Sequence, residues 1–338
     1  MSVTQSAARA TPIDWPRLAE VIRSHQRFVL TSHIRPDCDA LGSELGMAAV
    51  LDHLGKQTII VNGQATPPNL AFIDPDRRLK TLGTDVQPAD LADYEVLMVL
   101  DTSAWAQLGP MADVVRATTA RKVLIDHHVG QDELGAELFK DTKAEATGHL
   151  VADLAAHLKV PLTPRAATSL YAAIATDTGW FRFPSTTSET YRVAARLIDA
   201  GANPGEIYSQ LYERDTLARL QLRGRILART QTELGGRLAH TAALADDFAA
   251  TGALPSDTED IINLTLAIEG TEVAVIFVEQ ATGGFKLSFR SRTPAVDCNV
   301  LAKTFGGGGH KAAAGAFIRE PFEKAQSVVL DAVRAAMR

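Results

Sequence analysis

Val123-Leu124-Ile125-Asp126-His127-His128 is a short apolar run that stops at an acid followed by two imidazoles. Two other stretches have the same form. Phe28-Val29-Leu30 leads into His33-Ile34-Arg35-Pro36-Asp37-Cys38-Asp39, and Val96-Leu97-Met98-Val99-Leu100 ends at Asp101. Apolar runs of this length without polar alternation read as parallel strands buried on both faces. In open α/β sheets, chemistry collects just past the carboxyl ends of such strands. The acids and histidines gathered at those ends, joined by Asp177 in Ala175-Thr176-Asp177-Thr178-Gly179, point to a metal site rather than a core.

Working outward, strand-like and helix-like segments alternate from Arg27 to about Asp177. A helix is predicted near Ser43–Leu54 with Gly55 as its C-terminal cap, then a strand over Gln57–Val61. A helix near Ala146–Leu158 follows, and Pro164 opens the helical segment that carries Asp177. This order predicts an α/β fold, a doubly wound and mainly parallel sheet with helices on both faces. After Pro184 the pattern turns helical: Ser188–Gly201, a segment opened by Pro204, and Arg214–Arg237 with six arginines. That last stretch reads as a solvated connecting helix, with a cationic flank of a substrate cleft as the alternative. A smaller α/β unit begins near Gly236. Val273–Val278 and Lys286–Phe289 read as a hairpin through Thr282-Gly283-Gly284. Asp297 is placed to cap a short helix over Asn299–Phe305, and an amphipathic helix runs from about Pro321 to the end.

The chain has 338 residues, enough for two domains, with 46% hydrophobic and 22% charged residues. Its formal net charge of −6 argues against a large basic surface for long nucleic acid. Two cysteines, Cys38 and Cys298, exclude a disulfide framework and suit a reducing cytoplasm. No segment approaches ~20 apolar residues and no signal-peptide core precedes Pro12, so neither a membrane partner nor export is expected.

A two-metal hydrolytic site needs hard oxygen ligands, a carboxylate able to bridge, and open positions for water and substrate. The spacing His33-x3-Asp37-x-Asp39 brings His33 and Asp37 to one metal while Asp39 faces the other. Asp101, alone at its strand tip, is the natural bridge. Mixed imidazole and carboxylate ligation favours manganese, cobalt or zinc over magnesium. Asp126 is a candidate outer-shell acceptor for a histidine's second nitrogen. Cys38, on an extended loop, is expected to point away. His53, His149, His157 and His240 have no acidic partner motif and read as structural or surface residues. Trp105 reads as packing, and Phe181 and Arg182 as residues near enough to the site to meet substrate.

These motifs together resemble the DHH phosphoesterase superfamily: His33-x-x-Pro36-Asp37-x-Asp39-Ala40-x-Gly42-Ser43, Asp101-Thr102, Asp126-His127-His128 and Thr176-Asp177-Thr178. Gly306-Gly307-Gly308-Gly309-His310 resembles the signature of the DHH-associated domain. The resemblance covers nearly the whole chain and is strongest to short, stand-alone bacterial oligoribonucleases of the nano-RNase / pAp phosphatase type. It implies a catalytic domain over 1–186, a helical linker over 187–235 and a substrate-binding domain over 236–338. It also implies that His33, Asp37 and Asp101 hold one divalent metal, and that Asp39, Asp101, His127 and Asp177 hold a second. Two manganese ions are the expected cofactors, with cobalt, zinc or magnesium as alternatives. His128 would lie beside the scissile phosphate as charge stabiliser or proton donor.

Four consecutive glycines can turn backbone N–H groups toward an anion, forming a phosphate-binding nest. Gly307, Gly308, Gly309, His310, Arg290 and Ser291 are therefore the expected substrate contacts. The implied substrates are di- to pentanucleotide RNA, linear dinucleotides and 3′-phosphoadenosine 5′-phosphate, bound by a clamp that disfavours long strands. A homodimer is compatible with the resemblance. The competing readings are a cyclic-dinucleotide phosphodiesterase, a single-strand exonuclease, a manganese pyrophosphatase lacking the glycine–histidine clamp, and a non-catalytic nucleotide sensor.

Overall fold

The structure is a computed structural model that describes residues 13–130, 132–258 and 261–338. The chain divides into two compact units, Met1–Arg214 and Asp215–Arg338.

In the first unit, Asp14 caps α1 (Trp15–Ser24) by accepting from Arg17 N, and Pro16 sits in the opening turn. The helix leads into β1 (Arg27–Thr31), α2 (Cys38–His53), β2 (Gln57–Asn62), β3 (Leu79–Thr81) and β4 (Val96–Leu100). Two short helices follow, α3 (Trp105–Leu108) and α4 (Met111–Ala117), then β5 (Arg121–Asp126) and β6 (Glu137–Lys140). Four helices complete the unit: α5 (Thr147–His157), α6 (Pro164–Asp177), α7 (Ser188–Asp199) and α8 (Pro204–Tyr212). All six strands are parallel in the order β3-β2-β1-β4-β5-β6. One face, with Phe28, Leu30, Met98 and Ile125, packs under α1, α2, α5 and α6. The other, with Val29, Leu97, Val99 and Leu124, packs under α3 and α4. This is the doubly wound sheet that the apolar runs predict.

Helix α2 begins five residues earlier than predicted, because Asp37 caps it by accepting from Asp39 N and Ala40 N. Cys38 is therefore in a helical first turn rather than on an extended loop, and it is buried. Glycines on α2 let it lie close against α6. A Cβ on Gly42 would lie 2.4 Å from Ser169 O, and one on Gly46 would lie 2.4 Å from the Leu170 side chain.

The second unit opens with α9 (Leu217–Ala228), β7 (Gln231–Glu233), β8 (Leu238–Ala243) and α10 (Ala245–Thr251). Then come α11 (Ile261–Leu266), β9 (Val273–Glu279), β10 (Phe285–Ser291), α12 (Cys298–Lys303), β11 (Gly308–Gly309), β12 (Ala313–Ile318) and α13 (Phe322–Ala336). The strands order as β11-β12-β10-β9-β8-β7, with only β8 and β9 parallel. Asp297 caps α12, accepting from Asn299 N and Val300 N.

The predicted 214–237 helix is corrected: its α-helical part is Leu217–Ala228, and the chain then turns into β7. Five of its six arginines are spent on acids within the unit. Arg219 and Arg223 pair with Asp215, Arg225 and Arg229 with Asp247, and Arg237 with Glu272. The stretch 187–235, expected as a linker, is likewise built into cores. Val193, Leu197 and Ile207 join that of the first unit, while Leu222 and Ile226 join one in the second.

Candidate metal centre

Strand order reverses between β1 and β4, the switch point where open α/β sheets bind ligands. The carboxyl ends of β1, β4 and β5 deliver His33 with Asp37 and the first-turn Asp39 of α2, then Asp101, then Asp126 to His128. Asp177 arrives differently, as the last residue of α6, brought beside the α2 N-terminus by the glycine seam. Asp101 adopts a left-handed backbone at φ 61°, which is uncommon for a non-glycine residue and is tolerated best by Asp and Asn. Its N–H donates to Ile125 O at 3.0 Å, pinning the turn to the neighbouring strand end.

The predicted ligands converge. His33 Nε2 lies 3.3 Å from Asp101 Oδ2 and 3.8 Å from Asp37 Oδ1. His127 Nε2 lies 3.5 Å from Asp101 Oδ1, 3.5 Å from Asp177 Oδ2 and 3.7 Å from Asp39 Oδ2. Ligand atoms within His33/Asp37/Asp101, within Asp39/His127/Asp177 and within Asp101/His127/His128 lie within 4.8 Å of one another. Asp101 thus turns one carboxylate oxygen to each histidine.

The donor set fits divalent metal. Nδ1 of His33 faces the Ile34 carbonyl at 2.9 Å, and Nδ1 of His127 faces the Ala144 carbonyl at 3.2 Å. A carbonyl only accepts, so Nδ1 carries the hydrogen and Nε2 presents its lone pair to the carboxylates. Without metal, protons occupy that space. Burial alone would push both imidazoles down, but Asp101 and its neighbours hold His33 and His127 up to about 9. Burial, opposed by His127, pushes Asp177 up to about 6, and burial beside the Asp101 charge raises Asp39 well above the carboxylate range. Asp101 is buried too, yet the two histidines hold it below its usual range.

Asp126 supports not the ligand histidine but its neighbour. Its Oδ1 accepts from His128 Nδ1 at 2.8 Å and from His128 N at 3.1 Å. Its Oδ2 accepts from Ser103 Oγ at 2.7 Å and meets Lys140 Nζ at 3.1 Å. The bond to Asp126, with burial opposing it, raises the His128 pKa, and the half-exposed ring keeps Nε2 free. Lys140 and Ser103 carry no signal in the sequence, nor does the Ser32–Asn62–Glu44 chain behind β1. Asn62 Oδ1 accepts from Ser32 N, and Asn62 Nδ2 donates to buried Glu44 at 2.8 Å. His149 also departs from its expected lack of acidic partners, because it bridges Glu145 and Asp153. Trp105 packs beneath the Arg116 guanidinium and donates to Glu133 O. Phe181 stacks on Tyr191, and Arg182 donates to Gly179 O.

In the second unit the glycine run is not an open nest. Gly306 N, Gly307 N, Gly309 N and His310 N already donate to Lys303 O, Ala302 O, Asn299 Oδ1 and Ala313 O. Gly308 and Gly309 instead form the exposed edge strand β11. Register puts Arg290 opposite Ala313, and Ala313 opposite His310, so Arg290 and His310 share one face with a small residue between them. Ser291 lies on the other face, and its hydroxyl is engaged with Thr293 O.

Comparison with known proteins places this arrangement. The model of the DHH family, N-terminal domain, matches residues 27–174, and that of the DHHA1 domain matches 245–338. The bifunctional oligoribonuclease and PAP phosphatase NrnA of Thermus thermophilus is 33% identical over 96% of this chain and 95% of its own length. The chain belongs to the DHH family. The NrnA of Bacillus subtilis is 29% identical over 93% of this DHH chain and 96% of its own. Among solved structures, an exopolyphosphatase-related protein of Bacteroides fragilis superposes with a TM-score of 0.84 at 25% identity, covering 95% of both chains. Exonuclease RecJ bound to manganese shares the fold, with a TM-score of 0.54 at 15% identity over 97% of this chain and 96% of that one.

Proposed function

We propose that this chain is a phosphoester hydrolase that cleaves di- to pentanucleotide RNA and linear dinucleotides to mononucleotides. It also converts 3′-phosphoadenosine 5′-phosphate to AMP and phosphate. The observation that carries this reading is Asp101, whose two oxygens face two separate imidazole-and-carboxylate sets at 3.3 and 3.5 Å. His33, Asp37 and Asp101 would hold one divalent ion, and Asp39, Asp101, His127 and Asp177 a second, manganese being our assignment. Such ions supply a water acidic enough to attack at neutral pH and offset charge on the phosphoryl oxygens.

The chain's own groups do the rest. His128, held by Asp126, donates a proton or a charge-assisted hydrogen bond to the leaving oxygen. We assign the terminal nucleotide to Arg290 and His310 on their shared sheet face. Of the expected Gly307, Gly308 and Gly309, the exposed backbone of Gly308 has room for a flat group beside them. Substrates are short and long nucleic acid is not one, in keeping with a cytoplasmic protein of net charge −6.

Purified protein with manganese tests the reading on a panel of 3′-phosphoadenosine 5′-phosphate, di- to pentanucleotide RNA, a long single strand, a cyclic dinucleotide and pyrophosphate. Turnover confined to the short linear RNAs and the bisphosphate supports it. Preference for the cyclic dinucleotide moves the function to cyclic-dinucleotide breakdown, and silence with every metal leaves a nucleotide sensor. Sedimentation of the same sample tests the homodimer that the family implies.

A further inference from the structure

Helix α5 has no N-cap of its own. Ala146 occupies that position, and its side chain accepts nothing. The first backbone donors of a helix must still be satisfied. Here they are taken by a carboxylate more than a hundred residues away: Thr147 N donates to Asp39 Oδ2 at 2.7 Å, and Gly148 N to Asp39 Oδ1 at 2.9 Å. Gly148 permits this approach, since a Cβ there would lie 2.7 Å from the Ala173 methyl. Ser43 Oγ fills the remaining site on Asp39 Oδ1 at 3.1 Å. Only Oδ2 keeps a free lone pair, and it faces His127 Nε2. Asp39 can therefore offer a metal one oxygen, in one direction.

The same threonine reaches the other carboxylate. Thr147 Oγ1 donates to Asp101 Oδ1 at 3.0 Å, the oxygen that also faces His127. Thr147 is fully buried, and β-branching restricts its χ1. One residue thus uses its N–H for Asp39 and its O–H for Asp101, fixing the gap between two acids that point at the same imidazole. Neither bond belongs to the ligand set, and the sequence around Thr147 carries no hint of them.

We infer that Thr147 is a positioning residue for the ion between Asp39, Asp101, His127 and Asp177, setting the spacing of its carboxylates. The inference rests on the dinuclear reading above but not on any substrate, so it is tested by metal binding alone. Manganese titration of the full chain by calorimetry and by electron paramagnetic resonance compares wild type with Thr147→Val, which keeps the N–H and the shape and loses only the O–H. The expected result is a loss of about 10- to 100-fold in the affinity of one of two ions, with a weakened spin-coupled signal. Thr147→Ser, which keeps the hydroxyl, restores both. Thr147→Ala carries the same comparison if the valine variant fails to fold by circular dichroism. Two wild-type affinities and an unchanged coupled signal in the variant that lacks the hydroxyl would overturn the role. A wild-type chain that binds no pair would overturn it together with the dinuclear reading. A wild-type chain that binds the pair, loses one ion on T147V and yet hydrolyses none of the phosphoesters supports the role while sinking the proposed activity.

Discussion

The two units hold their candidate site residues in opposite ways. In the first, the carboxylates and imidazoles are largely buried and aimed by hydrogen bonds, and protons stand where cations belong. In the second, Arg290 is half-buried and His310 exposed on one sheet face, and the glycine strand beside them spends N–H groups inside the fold. The first arrangement gathers like charges and depends on its orienting hydrogen bonds. The second places two basic side chains on one face with a small residue between them. Chemistry needs fixed charge, whereas grip on a nucleotide needs only an accessible one.

The sharpest way to break this contrast is Asp101→Asn. Asn tolerates the left-handed backbone, so the fold should stand while the bridge loses its charge. We expect hydrolysis to fall about a thousandfold or more, and wild-type turnover in a folded variant would sink the mechanism.

The next effect is a pH response of the first unit. His33 and His127 lie up at about 9 in the metal-free fold against 6.5 unfolded, and burial lifts Glu44 to about 8. The folded state then holds more protons than the unfolded chain, so stability falls as pH rises. The histidine contribution is fully present below pH 6.5 and lost by about 9, while the raised Glu44 adds a cost that grows from 4.5 to about 8. The stability of metal-free protein in chemical denaturation should therefore drop by a few kcal/mol over that range, at on the order of 1.4 kcal/mol for each tenfold change in a group's proton affinity. Saturating manganese should flatten the part of His33 and His127 and leave that of His149, which Asp153 and Glu145 hold up to about 9 against burial. Metal-free stability that rises with pH would contradict the proton-filled site.

Arg290→Ala should act on grip alone. Losing one charge-assisted contact of about 1.5–3 kcal/mol should raise KM by roughly 10- to 100-fold with kcat nearly constant. A loss confined to kcat would place Arg290 in the chemistry and erase the contrast.

The smallest effects come from the glycines. A Cβ on Gly307 would lie 2.1 Å from Gly315 O, whereas one on Gly308 meets nothing closer than Asn299 Oδ1 at 3.8 Å. Gly307→Ala should cost about 1–3 kcal/mol in chemical denaturation, and Gly308→Ala less than about 0.5 kcal/mol. A rise in KM for Gly308→Ala at unchanged stability would show that this glycine serves the ligand.

The strand tips are legible in the sequence because each apolar run ends abruptly at its acid or histidine, and sheet topology then carries those tips to one edge. The edge strands β3 and β6 are not: Leu79–Thr81 and Glu137–Lys140 are short and partly polar, without the period that marks a buried strand. The start of α2 is hidden because Asp37 reads as a ligand, although an Asp is also a strong cap. The outer supports, Thr147 on Asp39 and Lys140 on Asp126, join residues far apart in the chain or on separate elements and leave no local pattern. The glycine run suggests backbone freedom, but at Gly307 the lack of a side chain serves close backbone packing.

The glycine seam between α2 and α6 bears on anyone who would move this centre to another scaffold. Asp37 and Asp39 open one helix, Asp177 closes the other, and Gly42 lets their backbones come together. Grafting the three loop motifs alone would carry across the donors and leave behind the ruler that spaces them. The transferable part is the helix pair itself, and a host able to accept it must offer a groove as narrow as this one.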